Sequence, residues 1–225
     1  MKQEYSEYSG LSIEELDLNI GSNQIEQDKD YMWLLKNSKN LIYDSFKVNF
    51  NIDKPTLRDK LSLFSPQMIS LITNSNYSTF LEYMGGTGIL SELIKELSPS
   101  MNVTYSNVNS DMYKFFEWRI NNYNHDINLL LLDDELQIEN NYDVIVSDGN
   151  LQFFEEETQI KIVNNLLDKV NKDGILCLLA DIAGKESSPL YYDVDIVKIH
   201  SILEYSDMVC IYGKNTFSSI WKKMI

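Results

Sequence analysis

The stretch "FLEYMGGTGILSEL", from Phe80 to Leu93, decides the fold class of this chain. An apolar run ends in a glycine-rich turn, and apolar residues at helical spacing follow it. Glycines let the backbone approach a ligand closely, and the first turn of a helix offers free backbone N–H donors. The stretch therefore predicts a strand, a turn and a helix that together bind an anion or a nucleotide.

The residues after this stretch alternate between strand and helix patterns. Buried strands are predicted at "MNVTYSN", "INLLLL", "YDVIVSD" and "ILCLLADI", with a turn at "NKDG" before the last of them. Amphipathic helices are predicted at "ILSELIKEL", "DMYKFFEWRINNY" and "EEETQIKIVNNLLDKV", and around Val194 to Tyr205. This alternation is typical of a parallel sheet with helices on both faces. "DMVCIYG" and "TFSSIWKK" follow with a short turn between them, which predicts a closing antiparallel hairpin.

The N-terminal third has a different pattern. We interpret residues 1–76 as a helical extension or cap, and residues 77–225 as the ligand-binding domain, because "YMWLLKNSKNLIYDSF" places apolar residues at helical spacing and Pro55 and Pro66 interrupt the segment. We expect the extension to pack over the ligand edge of the sheet. Its aromatic residues Tyr31, Trp33 and Tyr43 are candidates for a substrate pocket, and an ordinary core role fits them equally well.

Composition excludes some partners. The formal net charge is -15 and the pI is about 4.5, which argues against a general binder of nucleic acid or of an anionic membrane. No secretory signal is recognised in "MKQEYSEYSG", and apolar runs such as Ile175 to Ala180 are too short to cross a bilayer. We expect a cytoplasmic protein with no nucleic-acid or membrane partner. Cys177 and Cys210 lie in strand-like runs and are expected to be buried thiols.

Two well-known phosphate-binding turns fit the glycine stretch poorly. A dinucleotide fingerprint has a third glycine that permits close helix packing, and Ser91 occupies that position here. A P-loop ends in Gly-Lys followed by Ser or Thr, and the turn contains no lysine. A dinucleotide-dependent oxidoreductase therefore stays only as a rival interpretation.

The segment "LEYMGGTG" resembles the first motif of the class I S-adenosyl-L-methionine (SAM)-dependent methyltransferases, an acidic residue followed by a glycine turn. "VTYSNVN", "NYDVIVSDGNLQFF" and "LLDKVNKDGILCLLADI" are similar to later motifs of that family in the same order, and the final hairpin matches its antiparallel strand. The resemblance covers the chain from about Tyr77 onward. It implies an α/β fold with a seven-stranded Rossmann-like sheet, mostly parallel with an antiparallel last strand, and SAM as cofactor.

The resemblance also assigns roles to residues at the expected ligand edge. Glu82 would order the turn or meet the methionine end of SAM, and the turn glycines would approach the cofactor. Asn107, with Val108, occupies the position of the acid that binds the ribose. Asp133 or Asp134 would accept from the adenine amino group, and Asp148 and Gly149 would lie near the sulfonium. The complete set of cofactor candidates is Glu82, Gly85, Gly86, Gly88, Asn107, Val108, Asp133, Asp134, Asp148 and Gly149.

Two residues depart from the family pattern. Met84 stands where the family usually has its first glycine, and Asn107 replaces the usual acid. Both substitutions are expected to weaken SAM binding without abolishing it. Three other polar residues are expected to have no ligand role: Arg119 as a surface or salt-bridged residue, His125 exposed in "YNHD", and His200 on a helix that does not face the site.

The reaction implied by the resemblance is methyl transfer to an O or N atom of a small molecule or short peptide, in specialised biosynthesis. Such a transfer depends mainly on proximity and alignment, so no Ser-His-Asp set is required and no catalytic residue is assigned. "SDGNLQ" is a poor match to the acid clusters of metal-dependent relatives, so no metal is expected. Another SAM-dependent reaction on the same fold and a non-catalytic binding protein are alternatives, and a homodimer is compatible with the sequence.

Overall fold

The computed structural model of the chain describes residues 1–22, 32, 34, 36, 56–179, 192–214, 216 and 218–225. The described residues form one sheet of seven strands: β1 Thr79–Tyr83, β2 Asn102–Val108, β3 Asn128–Leu132, β4 Tyr142–Asp148, β5 Val170–Leu179, β6 Met208–Tyr212 and β7 Ser218–Lys223. Their order is β3-β2-β1-β4-β5-β7-β6. The first five strands pair in parallel, and β7 is antiparallel to both of its neighbours. The predicted fold class is confirmed.

Several of the described helices begin at a side-chain cap. The helix bounds are α1 Lys2–Ser9, α2 Ile13–Ser22, α3 Leu57–Ser62, α4 Pro66–Thr73, α5 Ile89–Leu97, α6 Asp111–Tyr123, α7 Glu156–Lys169 and α8 Ile196–Tyr205, with a short 3-10 turn at Leu151–Phe153. The helices with a side-chain cap include α3, α4, α6 and α8. The hydroxyl of Ser110 accepts from the backbone N–H of Tyr113 at the start of α6, and Asn124 ends that helix with φ 52°. Such caps satisfy backbone groups that the helix leaves unpaired.

Both faces of the inner strands are buried, as their apolar patterns predict. On β4, Ile145 belongs to one hydrophobic cluster while Val144 and Val146 belong to the other. The first cluster includes apolar residues of α7 and α8, and the second includes residues of α4, α5 and α6. Alternate side chains of a strand point to opposite faces, so a strand covered on both sides must be apolar at every position.

One predicted turn is wrong. The sequence places "NKDG" before the fifth strand, whereas β5 already begins at Val170, which pairs with Tyr142. The pairing then resumes at Ile175 with Val144, so the intervening residues form an irregular bulge inside the strand. Asp173 has φ 64° in this bulge. The turn-forming residues therefore interrupt the ladder without ending the strand.

Helix α1 covers part of the carboxyl edge of the sheet. Met1 and Tyr5 are fully buried in the same hydrophobic cluster as Met84 and Val108, which lie at the ends of β1 and β2. The hydroxyl of Tyr5 donates to Asp111 Oδ2 at 2.8 Å and attaches α1 to α6. Tyr31, Trp33 and Tyr43 lie outside the described residues, as does most of the predicted helical stretch around them. The division of the chain at residue 76 stays a prediction.

The two cysteines differ. Cys177 is buried in the inner strand β5, as predicted, whereas Cys210 is partly exposed because β6 is an outer strand of the sheet. The expectation that both thiols are buried is therefore wrong for Cys210. No helix in the described part of the chain has the length and apolar character needed to span a bilayer.

Candidate functional site

The glycine turn connects β1 to α5 through three residues with positive φ. Met84, Gly86 and Gly88 have φ values of 52°, 53° and 74°. The backbone N–H of Gly86 donates to Met84 O at 2.8 Å, and that of Gly88 donates to Gly85 O at 2.8 Å. Met84 thus keeps the left-handed backbone that a glycine would adopt freely. The chain therefore accommodates this departure from the family pattern with a left-handed methionine.

Glu82 lies beneath the turn. Its Oε2 accepts hydrogen bonds from the backbone N–H of Ser91 at 2.9 Å and from the Ser91 hydroxyl at 2.5 Å. Burial raises the pKa of this carboxyl to about 8. A Cβ on Gly85 would lie 2.5 Å from the carboxyl carbon of Glu82, so the glycine makes room for this side chain. Glu82 orders the start of α5, and its contact with a cofactor stays a prediction.

The other two turn glycines have different surroundings. A Cβ on Gly88 would lie 2.3 Å from the ring of Phe116, which explains why a glycine is needed where α5 approaches α6. A Cβ on Gly86 would have no heavy atom of the described residues within 4 Å. Open space beside Gly86 is the property expected of a turn that receives a ligand against its backbone.

The end of β2 is tied to the turn by a tyrosine. The hydroxyl of Tyr105 donates to Gly86 O at 2.6 Å, and Asn107 Nδ2 donates to the same hydroxyl oxygen at 3.1 Å. Asn107 is 1% exposed, and its Oδ1 accepts from the N–H of Val108 at 2.9 Å. A carboxamide has two N–H donors and two acceptor lone pairs, so one of each remains for a hydroxyl-bearing ligand. Sequence reasoning missed Tyr105 because its pattern is that of a core residue.

The remaining predicted residues follow the neighbouring strands at the same edge. Asp133 is exposed, and its Oδ1 accepts from the N–H of Glu135 at 3.0 Å. Asp134 is exposed and pairs with Lys36. Asp148 is exposed at the end of β4, and Gly149 follows with φ 64°. The fold therefore places all of the predicted cofactor positions along the carboxyl edge of β3, β2, β1 and β4.

A cleft opens beside the end of β4. It has a volume of about 420 Å³, and its lining includes Phe64, Ser65, Asp148, Gly149, Leu179 and Ile220. Behind Gly149 lies Gln152, which is buried and whose Oε1 has no hydrogen-bond partner among the described residues. Asn150, also buried, donates from Nδ2 to Tyr83 O at 2.9 Å and joins the ends of β4 and β1. The cleft adjoins the predicted cofactor edge without overlapping the glycine turn.

The residues expected to have no ligand role are more buried than the sequence suggests. Arg119 is almost fully buried and forms an ion pair, and His125 is partly buried where exposure was expected. His200 packs against Trp221 and lies 3.2 Å from Ser219 Oγ on β7, outside the predicted cofactor positions. In the described ranges, no group of three or more His, Cys, Asp or Glu side chains could hold a metal ion.

Solved structures share this architecture. The chain is similar to the mitomycin 7-O-methyltransferase MmcR, with 13% identity and a TM-score of 0.60, over 93% of this chain and 66% of that one. The magnesium protoporphyrin IX methyltransferase ChlM from Synechocystis, solved with bound SAH, has 11% identity and a TM-score of 0.59, over 85% of this chain and 97% of that one. A SAM-dependent methyltransferase from Clostridium acetobutylicum has 13% identity and a TM-score of 0.57, over 82% of this chain and 97% of that one.

These similarities are structural. No protein-family model and no curated protein matches the chain. The chain spans 66% of the length of MmcR, slightly less than two thirds. It has the fold of the class I SAM-dependent methyltransferases, with the strand order and antiparallel β7 described above.

Proposed function

We propose, from this methyltransferase fold, that the chain is an enzyme that transfers a methyl group from SAM to an O or N atom of a small molecule or short peptide in specialised biosynthesis. The observation that carries the proposal is the open backbone at Gly86. This residue lies in the turn after β1, at the carboxyl edge of a sheet with the methyltransferase strand order. In open α/β sheets, ligands bind outside the carboxyl ends of the strands.

The residues at this edge fit SAM. Gly86 would contact the cofactor through its backbone, and the amide of Asn107, next to Val108, keeps one N–H and one acceptor lone pair beyond its two hydrogen bonds, which would suit a ribose hydroxyl. Asp133 or Asp134 would accept from the adenine amino group, because both carboxylates are exposed after β3. SAM supplies a methyl group on a positively charged sulfur. The chain would hold that carbon in line with the acceptor atom, which is a matter of proximity and alignment.

The acceptor would enter the cleft beside Asp148 and Gly149. Its volume of about 420 Å³ suits a small molecule or a short peptide side chain, and its lining mixes apolar and polar residues. MmcR and ChlM are named for small-molecule acceptors, mitomycin and magnesium protoporphyrin IX, which supports the same substrate class here. The strongly acidic composition supports an acceptor other than nucleic acid.

A non-catalytic binding protein is the second candidate. It is favoured by Asn107, which replaces the usual acid and already donates to Tyr105 and accepts from Val108. Without a carboxylate the ribose contact lacks charge assistance, so SAM would be held more weakly. Another SAM-dependent reaction on this fold would show normal cofactor binding with a different product.

Isothermal titration calorimetry with SAM, SAH and NADH tests the proposal. We expect micromolar binding of SAM and SAH and no binding of NADH. Binding of NADH alone, or no binding of any of the three by a folded protein, would contradict it. SAM binding with no SAH formed in the presence of a broad panel of phenols, amines and short peptides would favour the non-catalytic candidate.

A further inference from the structure

A buried cluster of charges lies behind the glycine turn. It consists of Glu4 on α1, Lys60 on α3, Glu92 on α5 and Arg119 on α6, here called the Arg119 cluster. Arg119 Nη2 donates to Glu92 Oε2 at 2.8 Å, and Lys60 Nζ lies 3.3 Å from the same oxygen. Glu92 and Arg119 are 1% and 2% exposed, so both charges are removed from water.

Arg119 also holds the turn directly. Its Nη1 donates to the backbone carbonyl of Thr87 at 3.0 Å, between Gly86 and Gly88. The guanidinium lies 5.7 Å from the ring centroid of Phe115 and 6.0 Å from that of Phe116, so it has little freedom to move. A planar guanidinium presents its N–H groups in a fixed fork. Its position therefore fixes the orientation of the peptide that leads into the start of α5.

Helix α1 also contacts the Arg119 guanidinium, through Glu4. Glu4 Oε2 lies 3.4 Å from Arg119 Nε and 3.1 Å from the amino group of Met1. Arg119 Nε and Glu92 Oε1 have no hydrogen-bond partner within the described ranges, so the cluster depends on charge attraction to Glu4 on this side. Helix α1 lies outside the segment from Tyr77 onward whose sequence motifs resemble those of the methyltransferases, yet it contacts the residue that holds the turn.

We propose that Arg119 is a positioning residue for the cofactor turn and that Glu4 couples the docking of α1 to the affinity for SAM. The inference rests on the proposed function. Net stability is a weak explanation for the cluster, because burying an ion pair costs about as much as the attraction returns. Positioning requires an oriented group with one contact to the turn and another to α1, and Arg119 has both.

The test compares Arg119→Lys and Glu4→Gln with Glu7→Gln, an exposed glutamate on the same helix. For each variant, the dissociation constant for SAM is measured by calorimetry and the free energy of unfolding by urea titration. We expect Arg119→Lys to weaken SAM binding about tenfold, the loss of roughly one charge-assisted hydrogen bond. Glu4→Gln should weaken it about threefold, a smaller coupling through one contact, and Glu7→Gln should leave it unchanged.

A second readout separates positioning from stability. Amide hydrogen exchange at Gly86 and Gly88 should become faster in Arg119→Lys and Glu4→Gln at a temperature where both variants are folded. If the cluster had a merely structural role, the variants would have a lower free energy of unfolding. Their SAM affinity when folded and the exchange rates at the turn would equal those of wild type, and that result would overturn the inference. If Arg119→Lys fails to fold, Glu4→Gln decides alone, because the amide keeps the shape and an acceptor oxygen. Failure of the wild-type chain to bind SAM would instead overturn the proposed function.

Discussion

Two glycine-containing segments, one beside the sheet and one within it, share a backbone feature and differ in what surrounds them. The turn after β1 and the bulge in β5 each combine a left-handed non-glycine residue, Met84 or Asp173, with a nearby glycine. In the bulge, a Cβ on Gly174 would lie 2.6 Å from Asp143 O and 2.8 Å from Asn171 O. In the turn, a Cβ on Gly86 would have no atom of the described residues within 4 Å.

The difference separates two reasons for a glycine. Gly174 is required by the packing of the protein against itself, because backbone oxygens occupy the space of a side chain. Gly86 meets no such neighbour, so its surroundings leave room for a molecule that the chain does not supply. Gly85 and Gly88, by contrast, are packed against Glu82 and Phe116 in the manner of Gly174. The turn therefore has a packed side and an open side, and the open side is the candidate ligand site.

The largest expected effect is the loss of stability in Gly174→Ala. The added methyl group would contact two backbone carbonyl oxygens, and strand pairing limits how far they can move. Overpacking of this kind costs about 3 kcal/mol. Urea denaturation should show this loss, while the SAM affinity of the folded fraction stays at the wild-type value. A loss below about 1 kcal/mol would mean that the bulge can relax, and the contrast between the two segments would weaken.

Glu82→Gln tests the packed side of the turn through the pH dependence of the free energy of unfolding. Because burial raises the pKa of Glu82 from 4.5 to about 8, the folded state holds the proton more tightly than the unfolded state. The contribution of Glu82 to stability is therefore fully present below pH 4.5 and is lost as pH rises toward 8.

The measurement is urea unfolding of wild type and Glu82→Gln at about pH 5 and about pH 8. Glutamine does not titrate, so the variant should gain roughly 3 kcal/mol relative to wild type over this interval. Taking the difference between the two proteins removes the contributions of other titrating groups. A constant difference across the interval would show that the carboxyl is already ionised beneath the turn at about pH 5.

Gly86→Ala tests the open side, with Gly10→Ala as a matched control. Both glycines have positive φ, 53° and 74°, and a Cβ on either would have no described atom within 4 Å. The left-handed backbone should cost each alanine variant about 1 kcal/mol. Only Gly86→Ala should also weaken SAM binding, by about tenfold, because its methyl group would occupy ligand space. Equal SAM affinity in both variants would place the cofactor away from Gly86.

The sheet and its helices were predictable because local patterns agreed with the tertiary packing. The bounds predicted for α5, α6 and β4 coincide with the observed ones, and "DMYKFFEWRINNY" is bounded by its caps Ser110 and Asn124. The resemblance of the motifs implied seven strands with an antiparallel last strand, and the strand order came only from the structure, since alternation alone leaves several orders open. The bulge was missed because Asp173 and Gly174 carry turn signals whether or not the strand pairing continues around them.

The sequence predicted where the site lies, but not which hydrogen bonds connect its residues. Sequence spacing brought Gly86, Asn107 and Asp148 to one edge, as strand ends of a parallel sheet require. The hydrogen bond from Tyr105 to Gly86 and the one from Arg119 to Thr87 join residues 19 and 32 positions apart. Neither residue departs from an ordinary core or helix pattern, so only the tertiary structure reveals their contacts.

The smallest net effect is expected from Met84→Gly, compared with Asp173→Gly in the bulge. Both residues have positive φ, so glycine relieves about 1 kcal/mol of backbone strain at either position. Met84 is buried, and losing its side chain should cost about 2 kcal/mol, which leaves a net loss near 1 kcal/mol. Asp173 is exposed and loses no packing, so Asp173→Gly should instead gain about 1 kcal/mol from the relieved backbone. SAM affinity should change less than about threefold in Met84→Gly, because the turn already has the glycine-like backbone. Calorimetry decides this point: a much tighter complex in Met84→Gly would show that the methionine side chain itself obstructs the open side of the turn.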